Sequence, residues 1–79
     1  MKTTIHTPCI TLEALLKYSG LVESGGRAKE LIKGGAVQVD GVVVTERGRK
    51  IRPGMTVSLQ GMPDRIEVIA AGGGRDGAS

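Results

Sequence analysis

The chain has no tryptophan, no phenylalanine and a single tyrosine, Tyr18. Proteins that bind single-stranded nucleic acid commonly stack bases on several aromatic rings. No such platform can be built here, so any nucleic acid should be read through backbone and shape, as in a folded or double-stranded RNA. The one cysteine, Cys9, excludes an intrachain disulfide. A small domain without disulfides fits a reducing compartment. His6 is the only histidine, and with Cys9 it falls short of a metal set. The pair reads as a surface imidazole and a small apolar filler, because a nucleophilic cysteine needs a base and an orienting group. The phosphate loop GxxxxGK[ST] is absent. No run approaches the ~18 apolar residues of a membrane span, and the opening MKTTIHTPCI lacks a signal-peptide core. A cytoplasmic protein that is not an enzyme and has no cofactor, metal or membrane partner is expected.

What is present is one short domain with its positive charge grouped. Seventy-nine residues allow at most one domain, and a chain of this size buries only about 60% of its unfolded surface. Residues 1–71 are expected to form that domain. Residues 72–79, GGGRDGAS, have nothing to bury and read as a disordered tail. The net charge is +3, so the distribution matters more than the total. Of eleven basic residues only Lys2 and Arg75 lie outside positions 17 to 65. Arg47, Arg49, Lys50 and Arg52 crowd one segment, accompanied only by Glu46. Such a run is often just a solvated loop, but a second basic group lies on a helix before it.

Periodicity places these groups. Lys2 to Ile5 suits a short edge strand. Thr11 reads as an N-cap, with Leu12, Leu15 and Leu16 on one helical face and Gly20 as the stop. Ser24 caps a second helix whose apolar stripe is Ala28, Leu31 and Ile32, ended by Gly34-Gly35. A connection of about four residues predicts an antiparallel or steeply crossed helix pair. Val37 and Val39 alternate with Gln38, Asp40-Gly41 signals a two-residue hairpin, and Val42 to Val44 return. After the basic loop come Lys50-Ile51, a turn at Arg52-Pro53-Gly54, and a half-buried strand carrying Met55, Val57 and Leu59. A turn at Gly61 to Asp64 leads to a last strand from Arg65 to Ile69.

No side chain offers catalysis, but several could hold an anion. Lys29 and Lys33 are four apart and share one flank of the second helix, expected to be exposed. Arg27 lies about 160° from Lys29 and flanks the other side, within reach of a ligand at the helix start. Gly25 and Gly26 follow the Ser24 cap and leave N–H groups open to a phosphate; the plain alternative is a loose helix start. Arg47, Arg49 and Lys50 form the second basic group. Glu13, Glu23, Glu30 and Glu46 are scattered among the bases and read as solvated charge.

Leu12, Leu15, Gly20, Ser24, Ala28-Lys29, Leu31-Ile32, Gly35, Val37, Val39-Asp40-Gly41 and Pro53-Gly54, in this order and spacing, resemble the alpha-L RNA-binding domain. That domain was first described in the fourth protein of the small ribosomal subunit. It also occurs in pseudouridine synthases, tyrosyl-tRNA synthetases and a ribosome-associated heat-shock protein. The resemblance covers residues 10 to 59. It implies an α+β fold, with two helices packed on a small, strongly bent, mostly antiparallel sheet. It also implies binding to structured RNA, ribosomal or transfer RNA, through the start of the second helix and nearby loops. Ser24 and Lys29 match polar family positions, and Lys33 continues that flank. The family often carries an arginine directly after the serine; Gly25 stands there instead, which removes one usual phosphate contact. Being hardly longer than the domain, the chain resembles the short stand-alone bacterial members, without a catalytic domain. A monomer that binds RNA or a ribosomal particle is expected. Two alternatives remain: a protein-interaction adaptor, marked by an exposed apolar patch in place of the basic face, and a sulfur carrier, suggested by the late GGG. A carrier's diglycine must be terminal, whereas Arg75 to Ser79 follow this one.

Overall fold

The computed structural model of the protein describes residues 1–71, and the expected tail at 72–79 lies outside the described residues. The chain forms β1 (Lys2–Ile5), β2 (Ile10–Thr11), α1 (Leu12–Tyr18), α2 (Gly25–Lys33), β3 (Val37–Val39), β4 (Val42–Val43), β5 (Lys50–Ile51), β6 (Thr56–Leu59) and β7 (Arg65–Ala70). This is the α+β arrangement the resemblance implies. The strands divide between two ladders: a five-stranded sheet in the order β1-β7-β6-β3-β4, and a two-stranded one of β2 and β5. All described pairings are antiparallel except β1 with β7, which runs parallel in the register Lys2↔Glu67 to Ile5↔Ala70.

Local chemistry explains the element ends. The hydroxyl of Thr11 accepts from the Ala14 N–H, and that of Ser24 from the Arg27 N–H, both at 3.3 Å. Each therefore satisfies one donor that a helix start leaves orphaned. At the end of α2 the Gly35 N–H donates to Ile32 O and the Ala36 N–H to Leu31 O, the paired bonds of a Schellman stop. Asp40 and Gly41 have φ of 52° and 85°, the positive values that a tight hairpin turn between Val39 and Val42 requires. Asp40 adds a clamp to β6: its N–H donates to Thr56 O at 2.8 Å, and its Oδ1 accepts from the Thr56 N–H at 3.0 Å.

Three expectations shift in detail. Ile10–Thr11 forms a strand before its threonine caps α1, so one residue serves two elements. The helix connection runs from Ser19 to Ser24, longer than expected, because α1 closes at Tyr18 before Gly20 is reached. Leu31 is only partly buried, leaving Ala28 and Ile32 as the buried stripe of α2.

The core is entirely aliphatic. Leu12, Leu15 and Leu16 of α1 and Ala28 and Ile32 of α2 join the inward residues of the strands, such as Val37, Ile51, Val57 and Ile66, in one cluster. Alternation along each strand sets which residues enter it: in β7, Ile66 and Val68 point in while Arg65 and Glu67 are exposed. Among the described residues no buried side-chain nitrogen or oxygen lacks a partner.

Candidate nucleic-acid interface

The backbone fixes the basic loop before any ligand is present. The Arg49 N–H donates to Glu46 O at 3.2 Å and closes a turn. Lys50 and Ile51 then pair with Thr11 and Ile10. Two loop carbonyls face the start of α1: the Leu12 N–H donates to Arg49 O at 2.9 Å and the Glu13 N–H to Arg47 O at 3.1 Å. Donors of the first helical turn, which have no partner inside the helix, are thus satisfied by the loop. With its carbonyls so engaged, the loop leaves Arg47, Arg49 and Lys50 exposed.

The first turn of α2 approaches the same place from the other side. Gly25 begins that helix, and a Cβ added to it would lie 2.9 Å from Glu13 Oε2 and 3.7 Å from Lys17 Cδ. Glu13 Oε1 in turn lies 3.8 Å from Arg47 Nε. One carboxylate therefore stands between the basic loop and the start of α2, close to the positive end of the helix. Glu13 is half-buried, which corrects its reading as a merely solvated charge. The reason is tertiary: α1 and α2 pack together and bring Gly25 onto the Glu13–Lys17 face of α1.

The other candidates distribute as follows. Ser24 is an exposed cap, and a Cβ added at Gly26 would meet only the Ser24 hydroxyl, at 3.8 Å. Arg27 is exposed and pairs with Glu30 at 3.2 Å, one turn along α2. Lys33 is exposed, but Lys29 is half-buried, against the expectation of full exposure. Lys29 precedes the buried Ile32 by three residues, which puts it about 60° from the core-facing line of the helix. Its stem can cover apolar surface while the ammonium reaches water. Arg49, Lys50, Lys29 and Lys33 form no ion pair among the described residues. The structure brings Gly25, Glu13 and Arg47 together, whereas Lys29 and Lys33 continue along α2 away from that junction.

An open groove of about 790 Å³ lies beside the junction, lined by Glu13, Lys17, Tyr18, Arg47 and Gly48 over a floor that includes Ile10 and Ala14. Lys17 and Tyr18 were not singled out as site residues by the sequence. The Glu13–Lys17 spacing of four was visible, but the approach of Gly25 and the loop to that face was not. No group of three or more His, Cys, Asp or Glu side chains among the described residues could hold a metal ion. No described helix is long and apolar enough to cross a membrane.

Comparison with known proteins agrees with this architecture. Residues 3–69 match the S4 domain family model. The chain is 44% identical over 63 residues to YbcJ of Escherichia coli (strain K12), a protein provisionally named as RNA-binding, covering 80% of this chain and 87% of that one. The identity and coverage are the same for YbcJ of Shigella flexneri, which is named as uncharacterized. The solution structure of Escherichia coli YbcJ, described as revealing an alpha-L motif involved in RNA-binding, superimposes with a TM-score of 0.67 at 40% identity, over 87% of this chain and 86% of that one. The Vibrio cholerae heat shock protein 15, solved as a trimer, shares the fold with a TM-score of 0.62 at 18% identity, over 72% of this chain and 57% of that one. By a family match spanning nearly the whole described chain, and by its identity to YbcJ, this protein belongs to the S4 domain family.

Proposed function

We propose that this protein binds structured RNA by charge and shape and performs no catalysis of its own. The observation that carries the reading is the docking of the basic loop on the first turn of α1. It holds Arg47, Arg49 and Lys50 outward on a fixed backbone beside the start of α2. Family membership supports it, as does the likeness to YbcJ, whose motif is described as involved in RNA-binding. Ser24, Gly25, Gly26, Arg27, Lys29 and Lys33 supply the second part of the interface. Ribosomal RNA, or an assembling ribosomal particle, is the favoured partner and transfer RNA the next. The protein acts as a cytoplasmic monomer. An adaptor that lost RNA binding would carry an apolar patch in place of the basic face. Here the exposed Val42 and Val43 lie on an edge strand and the loop cations remain exposed.

Filter binding across salt tests the reading. Neutralising about 4 to 6 phosphates gives a slope of log K on log salt near −3 to −5. Lys29→Ala with Lys33→Ala, and separately alanines at Arg47, Arg49 and Lys50, should weaken binding and reduce that slope by about 1 for each phosphate no longer neutralised. Circular dichroism should stay native in both sets. Absence of RNA affinity even at low ionic strength sinks the proposal. Cosedimentation with ribosomal fractions in a low-salt sucrose gradient tests the favoured partner.

A further inference from the structure

Tyr18 is the only aromatic residue of the chain, and it is not in the core. It ends α1 with 58% of its surface exposed, while the core is filled by aliphatic side chains alone. The ring lines two adjoining depressions that share Ile10. One is the open groove of about 790 Å³ with Lys17 and Arg47 on its wall. The other is smaller and mostly apolar, about 230 Å³, and is lined by Ile5, His6 and Thr7 as well. Lys17 is exposed, and Arg47, which also lines the groove, has its Nε 3.8 Å from Glu13 Oε1. The groove also carries the Glu13 carboxylate, so its walls hold two cations against one anion. An exposed ring on an apolar floor with that net positive charge matches the chemistry of a nucleotide, a flat apolar face carrying an anionic backbone.

We propose that Tyr18 is a stacking ledge for one unpaired nucleotide of the bound RNA, with Lys17 and Arg47 meeting the phosphates beside it. The inference rests on the RNA-binding reading and adds a feature of the RNA to it. A base inside a duplex is stacked on both faces, so a ring can reach only a bulged, looped or terminal one. One ring serves one base, which agrees with the lack of a platform for a longer single strand. The groove volume lies within the range of small-molecule sites and admits a single nucleotide.

The test compares the binding of two RNA hairpins at low salt. One is fully paired and the other is identical except for a single unpaired 2-aminopurine. The wild type should prefer the second about five-fold or more, and binding should quench the 2-aminopurine emission. Tyr18→Ala should abolish the preference and the quenching while leaving affinity for the paired hairpin unchanged. Tyr18→Trp should keep both. Equal affinity of the wild type for the two hairpins overturns the inference while RNA binding stands, and so does a preference that survives in Tyr18→Ala with native circular dichroism. Failure of the wild type to bind either hairpin removes the RNA-binding reading, and the ledge with it.

Discussion

Replacing Gly25 by alanine sets helix propensity against a carboxylate. Gly25 opens α2, and its new methyl would stand 2.9 Å from Glu13 Oε2. Alanine alone should stabilise by about 0.4–1 kcal/mol, chiefly by restricting the unfolded chain. To make room, Glu13 must swing out. It then loses Arg47, a pair at 3.8 Å whose side chains are 55% and 31% exposed, which solvent screening holds to about 0–1 kcal/mol. It also leaves the positive end of α2, a further loss of about 0.3–1 kcal/mol. The loss offsets most or all of the gain, so Gly25→Ala in the native background should give no clear stabilisation. With Glu13→Ala in place there is nothing to displace, and the same substitution should give its full gain. Urea unfolding of the four proteins closes a double-mutant cycle, and the coupling should equal the displaced Glu13 interactions, about 0.3–2 kcal/mol. An identical effect of Gly25→Ala in both backgrounds would refute the reasoning, since Glu13 could not then be resting against the helix start.

Gly25→Arg restores the arginine common in the family, so RNA affinity should rise and the salt slope steepen by about 1, read by filter binding; an unchanged slope means that no phosphate reaches the start of α2. Asp40→Ala removes the acceptor for the Thr56 N–H and places alanine at φ 52°; a loss of about 1–3 kcal/mol in urea unfolding is expected. Ser24→Ala removes a cap whose bond is long at 3.3 Å, and should cost about 0.5–1 kcal/mol. Leu15→Ala empties a fully buried position and should cost about 2–5 kcal/mol.

Local rules reached far into this fold. Both N-caps, the glycine stop of α2, the Asp40-Gly41 turn and the inward residues of β3 and β6 follow from residues a few positions apart. The parallel partner of β1 did not follow, because nothing local marks β7 as lying beside it. Nor was the pairing of Ile10–Thr11 with Lys50–Ile51 legible; two-residue strands carry too little periodicity to register. At the candidate site the basic side chains were visible as charge. Their arrangement was not, because it depends on Glu13 meeting Gly25 and Arg47 across three separate segments. Lys29 shows the limit of a helical wheel: a residue assigned to the polar flank lies near enough to Ile32 to be half covered.

The parallel pairing of β1 with β7 has a bearing on how the chain is made. Lys2 faces Glu67 and Ile5 faces Ala70, and the Met1 ammonium donates to Arg65 O at 2.6 Å. On a ribosome Lys2–Ile5 emerges well before Arg65–Ala70 has been made. The helix pair and the β3-β4 hairpin depend on nearer neighbours and can form meanwhile, whereas β1 cannot pair with β7 until Ala70 has been made and has left the exit tunnel. During that interval Lys2–Ile5 is a strand with bare N–H and C=O groups, the kind of edge that recruits other chains. Slow synthesis through the last strand should therefore lengthen the nascent protein's exposure to aggregation, and shortening β7 should harm solubility more than the loss of so short a segment suggests.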